Sequence, residues 1–423
     1  MKYQAIKGTY DVMPAEAPAW KFLETVIRRQ ALAFGFREIR TPVFEETALF
    51  VKGTGEATDI VQKEMYTFTD KGGRSLTLKP EGTPPVIRAL LEHNALKESP
   101  CVKVFYLAPM FRYERPQAGC LRQHTQFGAE IVGTDSPVSD VEVISLLFRT
   151  LQKLGLTGLK LRLNSVGCPA CRPAYREKLV KHFKPKLAEL CDFCKDRFQR
   201  NPLRILDCKI DRDKMQDAPA VFDSLCPACS QHFGAVKSLL TSLAIPFALD
   251  KNLVRGLDYY TRTAFEVVSE HLGAQDALGG GGRYDGLVED LGGDKAPGVG
   301  FGAGLERFLL AMKNQDVHVP ADKRLDIFIA TLGEPATDKA CALAGELRSR
   351  GYACEQDLLN RSLKAQMREA NKLNAHYVIV IGEDELNKGA AVLKDMDSHE
   401  QKEVPFTELA NNIKAYCECV CPG

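Results

Sequence analysis

The sequence predicts an α+β protein of two or three domains, built around an antiparallel sheet. Its 423 residues, 45% of them hydrophobic, are enough to bury more than one core. Strand candidates occur in clusters with helices between them, and this irregular order favours an antiparallel sheet. Only the residues from 325 onward change to a βαβαβ order, which is typical of a separate small domain.

The first predicted element is an amphipathic helix over Pro14–Gly35. Its apolar residues recur at steps of three and four and so share one helix face: Trp20, Leu23, Ile27 and Ala31. Gly35 provides the stop. The next segment, Phe36–Arg40, mixes apolar and charged residues before Pro42, and we expect it to be the end of a strand.

Four more strands are predicted in the same part of the chain: Val102–Met110, Gln126–Val132, Leu159–Leu163 and Ala264–Val268. A polar loop rich in arginine, glutamine and glycine separates the first two, so we expect a hairpin there. We assign residues 1–166 and 234–316 to one domain that contains all of these strands.

Residues 167–233 interrupt this pattern, because they are rich in cysteine, proline and charge and mostly helical. We interpret them as a small inserted domain. Half of the fourteen cysteines fall here: Cys168, Cys171, Cys191, Cys194, Cys208, Cys226 and Cys229. Two Cys-x-x-Cys pairs brought together would form a tetrahedral thiolate site for structural Zn²⁺, and free buried thiols are the alternative.

The last part of the chain predicts a small parallel-sheet α/β domain over residues 325–423, after a linker at Asn314–Arg324. Strands and helices alternate along it: Leu325–Ala330, Thr337–Arg350, Tyr352–Gln356, Ser362–Leu373 and Tyr377–Ile381.

The charges are nearly balanced, with 56 lysines and arginines against 55 aspartates and glutamates. No overall positive field attracts nucleic acid, so any RNA contact has to come from local patches. The first thirty residues lack a signal-peptide pattern, and no apolar run is long enough to span a bilayer. We expect a soluble cytoplasmic protein without a membrane partner.

The segment Leu253–Glu266 carries the strongest chemical signal. Arg255 offers a planar fork of donors that suits carboxylate and phosphate oxygens. If the segment is extended, Tyr259 and Tyr260 face opposite sides, so one can pack while the other offers its hydroxyl to a ligand. From the residues alone, an ion pair beside core aromatics explains the pattern better.

Two further segments could hold a nucleotide. Arg112 and Glu114 follow a strand candidate and could grip a phosphate and an adenine amino group. In Gly298–Arg307, glycines alternate with small or apolar residues and lead into a helix, so a nucleotide could lie close to the backbone beside Arg307. The alternatives are an exposed salt-bridged strand and a tightly packed glycine joint.

Taken in order, the helix before Pro42, the Arg112–Glu114 hairpin and the glycine-rich strand resemble motifs 1, 2 and 3 of class II aminoacyl-tRNA synthetases. Further strings resemble one family of that class, the histidyl-tRNA synthetases: Gly8–Asp11, Leu78–Thr83, Glu114–Gln117, Leu253–Glu266, Gly280–Gly286 and Arg361–Asn371. The resemblance covers essentially the whole chain. It implies a class II antiparallel-sheet catalytic domain, a helical insertion and a C-terminal α/β anticodon-binding domain.

The resemblance implies ATP-dependent ligation of L-histidine to tRNA(His) through histidyl-adenylate. Arg112 and Arg255 would be catalytic and hold the α-phosphate and the substrate carboxylate. ATP, with Mg²⁺ on its phosphates, would be bound by Arg112, Glu114 and Arg307. No enzyme nucleophile is needed, because such catalysis consists largely of positioning and charge stabilisation.

It also implies a histidine pocket. Glu81, Thr83 and Gln126 would receive the α-amino group, and aromatic hydroxyls with an anionic acceptor would hold the imidazole. The residues implied for the imidazole end are Glu130, Tyr259, Tyr260 and Tyr284. An imidazole has one donor and one acceptor nitrogen, so these groups would fix both of its edges.

For the RNA, the resemblance implies that Arg115 and Gln117 read the 5′ end of tRNA(His). Arg361, Lys364, Arg368 and Lys372 recur at three- and four-residue steps, and we expect them on one face of an anticodon-binding helix. The family also implies a homodimer.

The loop of motif 2 departs from the family pattern. Cys120 stands where an arginine is expected, and His124 replaces the phenylalanine that stacks on adenine. We expect the imidazole to stack more weakly and in a pH-dependent way. Two alternatives remain: a regulatory paralogue that binds without ligating, and a class II ligase for glycine, proline or threonine.

Overall fold

A computed structural model describes residues 3–56, 58–115, 121–206, 208, 210–273, 276–320 and 324–413. The chain divides into two compact units, Met1–Pro320 and Ala321–Gly423. Among the described residues, no helix combines the length and the apolar character needed to cross a membrane.

The first unit is built on an eight-stranded sheet. Its strands, in spatial order, are Arg37–Glu38, Val102–Phe111, Gln123–Val132, Gly298–Gly304, Ala277–Arg283, Thr261–Ser269, Leu159–Ser165 and Phe247–Leu249. The central pairs are antiparallel, and only the outermost pair on each side is parallel. The predicted antiparallel α+β body is therefore confirmed. A separate sheet joins Phe44–Glu46, Ser75–Leu78 and Tyr66–Thr69.

The helices of the first unit are Ala17–Ala33, Thr47–Thr54, Thr83–Glu92, Ala95–Glu98, Pro137–Lys153, Arg172–Phe183, Asp192–Arg200, Pro227–Ser242, Leu287–Asp290 and Leu305–Asn314. Ile60–Glu64 forms a π-helical turn. Short 3₁₀ turns occur at Lys184–Glu189, Pro202–Ile205, Arg212–Met215, Val221–Ser224 and Glu270–Leu272.

The predicted first helix is confirmed but shorter, over Ala17–Ala33. It starts at Ala17 because Pro18 suits only the first turn of a helix, and it ends before Gly35, which adopts a positive φ of 76°. The expected strand at Phe36–Arg40 is reduced to Arg37–Glu38, which pairs only with Val102–Phe111 at the edge of the sheet.

The alternation of side chains along the strands decides which face carries chemistry. In Gln123–Val132, the odd-numbered residues from Phe127 to Ile131 belong to the hydrophobic core under the helices. The even-numbered residues from Gln126 to Glu130 therefore face the opposite side of the sheet.

The cysteine-rich segment has its own small core of buried side chains, which includes Tyr175, Leu179, Phe183, Cys194, Ile205 and Met215. Val254 and Tyr260, from the segment that precedes Thr261–Ser269, belong to the same cluster. The small core thus packs directly against the segment that carries Arg255.

The second unit contains a five-stranded sheet in the order Cys354–Gln356, Ile327–Thr331, Tyr377–Ile381, Ala390–Asp395 and Gln401–Pro405. Its helices are Glu334–Ser349, Leu363–Lys372, Glu383–Lys388 and Leu409–Asn412. The first three strands are parallel, as predicted, but the last two are antiparallel. The predicted parallel α/β domain is therefore confirmed for the three strands up to Ile381, and two further antiparallel strands that were not predicted extend the sheet.

Candidate active site

One cavity on the open face of the large sheet collects most of the predicted site residues. Those that line it are Glu81, Thr83, Arg112, Glu114, Gln126, Arg255, Tyr259, Tyr260 and Arg307. Gln126 comes from the even-numbered face of Gln123–Val132, Thr83 and Arg307 come from helices, and the other six come from the connections between elements.

Hydrogen bonds to other protein groups hold the side chains of the two predicted catalytic arginines in place. Arg112 Nε donates to the carbonyl of Pro80 at 2.8 Å, and Arg255 Nη1 donates to Glu266 Oε1 at 2.7 Å. A Cβ on Gly280 would lie 2.9 Å from Arg255 Nη1, so a glycine leaves room for the guanidinium. Both side chains are therefore pre-oriented before any ligand binds.

Glu81 is a buried carboxylate at the wall of the cavity. It accepts hydrogen bonds from Thr54 Oγ1 at 2.5 Å and from Tyr259 Oη at 2.9 Å. Burial raises the pKa of Glu81 in spite of these donors and of nearby Arg112. A cationic ligand would remove this penalty, which makes Glu81 suited to an ammonium group.

Tyr106 was not among the predicted site residues, but it lines the cavity beside Gln126, to whose Oε1 it donates at 3.2 Å. Its ring lies between two glycines. A Cβ would come within 2.2 Å of the ring at Gly82 and within 2.1 Å at Gly128. Glycine is therefore required at both positions, because any larger side chain would clash with the ring of Tyr106. A single sequence does not reveal this requirement.

Glu130 and Tyr284 do not line the cavity, although they were predicted to do so with Tyr260. Both are fully buried, and the Tyr284 hydroxyl donates to Glu130 Oε2 at 2.5 Å. Thr83, which does line the cavity, donates to Glu130 Oε1 at 2.8 Å. The pair thus supports the wall from one layer behind. Burial raises the pKa of Glu130 to about 8, so near pH 7 the neutral acid is favoured over the anion.

Tyr259 and Tyr260 do not point to opposite faces. The strand begins only at Thr261, so the two tyrosines lie in the preceding turn, with ring centroids 4.7 Å apart. Both rings line the cavity. The prediction assumed an extended backbone and was wrong for that reason.

The other end of the cavity has the groups predicted for a nucleotide. Arg307 lines it together with Gly302, Gly304 and Glu306. Glu306 was not predicted. Its Oε1 accepts from the backbone N–H of Thr125 at 2.7 Å, and burial raises its pKa to about 7. The open backbone at the two glycines suits a flat ligand that approaches closely.

His124 also lines this end. Burial, assisted by the positive charge of Arg112, lowers the pKa of His124 to about 3. The neutral ring is therefore favoured at physiological pH, and the expected pH dependence of its stacking would fall well below neutral pH. Glu114 Oε1 lies 3.7 Å from Arg112 Nη1.

Of the residues predicted to touch RNA, Arg115 is exposed. Gln117 lies outside the described residues, and so does Cys120. In the second unit, Lys364 and Arg368 are exposed on the helix Leu363–Lys372.

Arg361 precedes that helix, so its predicted place on the helix face was wrong. It is ion-paired with Asp357 at 2.6 Å and with Glu369 at 3.0 Å. Lys372 is exposed and lies 3.7 Å from Glu369.

The inserted segment offers two groups that could hold a metal ion. Cys168, Cys171, Cys226 and Cys229 form one, and Cys191, Cys194, Cys208 and Asp211 form the other. In each group all four ligand atoms lie within 4.8 Å of one another. The predicted meeting of two Cys-x-x-Cys pairs occurs in the first group, whereas an aspartate completes the second.

Comparisons with known proteins indicate the family of this chain. A family model described as histidyl-tRNA synthetase matches residues 8–308, and one described as an anticodon binding domain matches residues 326–416. A histidine–tRNA ligase from Thermoanaerobacter pseudethanolicus is 50% identical over 416 residues, which cover 98% of this chain and 100% of that protein. One from Desulforamulus reducens is 49% identical over 411 residues, 97% and 98% of the two chains.

Among solved structures, the apo histidyl-tRNA synthetase of S. aureus aligns with a TM-score of 0.82 at 38% identity. The alignment covers 97% of this chain and 99% of that one. Agreement over nearly the full length of both chains extends from the catalytic sheet to the last domain. This chain belongs to the histidyl-tRNA synthetase family.

Proposed function

We propose that this protein uses ATP to attach L-histidine to tRNA(His). In the first step, a carboxylate oxygen of histidine attacks the α-phosphorus of ATP, the bond to the β-phosphate breaks, and pyrophosphate leaves. In the second step, the terminal ribose hydroxyl of the tRNA attacks the acyl carbon and AMP leaves. Relatives about 50% identical over nearly their whole length carry the name histidine–tRNA ligase, which supports this assignment.

The observation that carries the proposal is the arrangement of charge in one cavity. Arg112 and Arg255 supply fixed positive charge, while the buried Glu81 supplies a negative acceptor. An α-amino acid whose carboxylate faces the arginines and whose ammonium group faces Glu81 satisfies all three. The same arginines then stabilise the charge that develops at phosphorus during attack.

We assign the imidazole to the region of Tyr259 and Tyr260, with Thr83 and Gln126 beside the α-amino group. Glu130 and Tyr284 act from behind, because they fix the hydroxyl of Thr83. A different amino acid would leave buried polar groups unpaired, which can lower the rate by a factor on the order of 10⁴.

We assign ATP to the end of the cavity with Glu114, Arg307 and the neutral ring of His124. A neutral imidazole can stack on a purine without bringing charge into the site. Mg²⁺, when bound, neutralises the phosphates. The RNA contacts are assigned to Arg115 and Gln117 for the 5′ end and to Lys364 and Arg368 for the anticodon, with Arg361 supporting the helix that carries the latter pair.

We further propose a homodimer in the cytoplasm. Exposed apolar side chains near the start of the chain support a partner surface: Tyr3, Ile6, Val12, Met13, Leu32, Phe44 and Phe68. The ten cysteines among the described residues lie outside disulfides, an arrangement compatible with a compartment where thiols stay reduced. Sedimentation analysis tests the dimer: a single species at the mass of one chain would overturn it.

Structural Zn²⁺ in the insertion is also part of the proposal. Its place is the group Cys168, Cys171, Cys226 and Cys229. The Cys168 sulfur lies 3.6 Å from that of Cys171 and 3.9 Å from that of Cys226. A tetrahedral zinc ion with Zn–S bonds of about 2.3 Å requires sulfur atoms about 3.8 Å apart.

The test of the function is exchange of labelled pyrophosphate into ATP, measured with each of the twenty amino acids in turn. We expect exchange with histidine and with no other amino acid. Exchange with none would support a regulatory paralogue, and exchange with glycine, proline or threonine would support another class II ligase. Either result overturns the proposal.

A further inference from the structure

The second group in the insertion has the geometry of a metal site in its own right. The Cys191 and Cys208 sulfurs lie 3.7 Å apart, and Asp211 Oδ2 lies 3.9 Å from the Cys208 sulfur. The sulfur distance is close to the edge of a zinc tetrahedron, about 3.8 Å, and is far longer than a disulfide bond of about 2.05 Å. We propose that Cys191, Cys194, Cys208 and Asp211 bind a second structural zinc ion.

The local backbone is organised around these ligands. Cys191 is the N-cap of the helix Asp192–Arg200, and Cys194 lies in its first turn, where the partial positive charge of the helix end favours thiolates. Asp211 donates its backbone N–H to the Cys208 sulfur at 3.4 Å, and its Oδ2 accepts from the N–H of Cys191 at 2.8 Å. Hydrogen bonds of this kind orient ligands around a metal. The first group has the same feature, since Cys226 donates its N–H to the Cys171 sulfur at 3.1 Å.

Burial supports a bound cation. Cys194 is fully buried, and Cys208 and Asp211 are 6% and 4% exposed. A carboxylate among three thiols is costly to bury unless its charge is compensated. Lys214, 3.0 Å from Asp211 Oδ1, supplies one positive charge, but its side chain is half exposed. With a metal bound, the three cysteines are thiolates and carry four negative charges together with Asp211. A divalent ion at the centre of the group would offset two of the three charges that Lys214 leaves uncompensated.

The ligand set also indicates the kind of site. Thiolates with one carboxylate and no free position favour zinc in a closed, four-coordinate structural site over a catalytic one. The insertion is small, with short helices and several 3₁₀ turns, and such segments commonly need a metal or disulfide to be stable.

The second zinc ion would stabilise one side of the substrate cavity through the helix Asp192–Arg200, whose N-terminal end carries two of its ligands. Arg197 of this helix is 3.3 Å from Asp59 and donates to the carbonyl of Arg204 at 3.0 Å. Asn201, directly after the helix, donates to Asp258 Oδ1 at 3.3 Å. Asp258 lies between Arg255 and Tyr259, so the ion would fix the loop that carries a catalytic arginine and an aromatic wall residue.

The test is the zinc content of the purified full-length protein, measured by mass spectrometry after gel filtration in chelator-free, reducing buffer. We expect two zinc ions per chain. Cys194→Ser and Asp211→Asn should each leave one, Cys168→Ser should also leave one, and the combination of Cys168→Ser with Cys194→Ser should leave none. Cys101→Ser, which changes an exposed cysteine in neither group, is the matched control and should retain two.

Circular dichroism and gel filtration of each variant separate loss of a ligand from loss of the fold. Should Cys194→Ser fail to fold, the wild type decides: metal-depleted protein titrated with Co²⁺ should give tetrahedral ligand-field and thiolate charge-transfer bands that saturate at two equivalents. A folded Cys194→Ser protein that retains the wild-type zinc content overturns the second site, and so does a wild type with a single zinc ion per chain that is lost in Cys168→Ser. A single ion that is lost in Cys194→Ser and kept in Cys168→Ser would instead overturn the first site and leave the second in place. Both the zinc content and the Co²⁺ spectrum are measured without any assay of aminoacylation.

Discussion

The substrate cavity and the basic helix of the second unit use positive charge in different ways. In the cavity, Arg255 is held by Glu266 and lies against a glycine, and Arg112 is held by a backbone carbonyl. On the helix, Lys364 and Arg368 are exposed. Fixed charge in a partly desolvated site acts strongly at one defined position. Exposed charge acts over a wide area and is weakened by salt.

The largest expected effect concerns Arg255. Arg255→Ala should lower kcat/KM for histidine-dependent pyrophosphate exchange by about 10³-fold, or about 4 kcal/mol, because a fixed donor to the transition state is lost. Arg162→Ala is the matched control, since Arg162 contacts the same Glu266 at 3.6 Å but does not line the cavity. A loss of less than about tenfold for Arg255, or an equal loss for both variants, would contradict the assigned role.

Glu81→Gln should raise the KM for histidine by about 10- to 100-fold and leave the KM for ATP nearly unchanged. The substitution preserves the shape of the side chain but removes the negative partner of the ammonium group, a bond of about 1.5–3 kcal/mol. Exchange kinetics at varied histidine and varied ATP measure both constants. Glu92→Gln, at an exposed ion pair with Arg88, is the control. Equal increases in both constants would argue against an ammonium site.

We expect Glu130, which lies behind the wall of the substrate cavity, to make the stability of the protein depend on pH. Because its pKa is raised to about 8 from an ordinary value near 4.5, the folded protein binds this proton more tightly than the unfolded chain does. Its contribution to stability is full below pH 4.5 and is lost as the pH rises toward 8, by at most about 1.4 kcal/mol per pH unit.

Glu130→Gln removes this titration, so the stability of the wild type relative to the variant should fall between pH 4.5 and 8. Urea unfolding midpoints at several pH values measure it. A difference between the two proteins that stays constant over this range would show that Glu130 remains ionised.

The smallest effect is expected on the basic helix. Lys364→Ala or Arg368→Ala should raise the KM for tRNA about two- to fivefold, reduce the salt slope of tRNA binding by about 1, and leave pyrophosphate exchange unchanged. Filter binding at several salt concentrations measures the slope. Arg361→Ala, by contrast, should chiefly destabilise the second unit, because it breaks ion pairs with Asp357 and Glu369. If Arg361→Ala reduced the salt slope of tRNA binding more than Arg368→Ala did, the structural role assigned to Arg361 would be contradicted.

The sequence predicts the antiparallel body and the first helix, because hydrophobic period is a local property of the chain. Nine of the residues that line the cavity were named in advance through the resemblance to ordered family motifs. It does not predict which side chains touch the ligand. Glu130 and Tyr284 lie one layer behind the wall because Thr83 and Tyr106 occupy the nearer positions, and only three-dimensional packing decides this.

Other errors have similarly local causes. Tyr259 and Tyr260 share one cavity because the strand begins at Thr261, after both tyrosines, so neither lies in the extended backbone that the prediction assumed. Asp211 was not predicted as a zinc ligand because a Cys-x-x-Asp pair is a weaker sequence signal than a Cys-x-x-Cys pair, although its spacing of three residues from Cys208 is the same.

The most direct test is a crystal structure with histidine and a non-hydrolysable ATP analogue. The histidine carboxylate should lie between Arg112 and Arg255, its ammonium group within hydrogen-bonding distance of Glu81, and its ring beside Tyr259 and Tyr260. Histidine bound outside this cavity, or inside it with the ammonium group turned toward the arginines, would contradict the account.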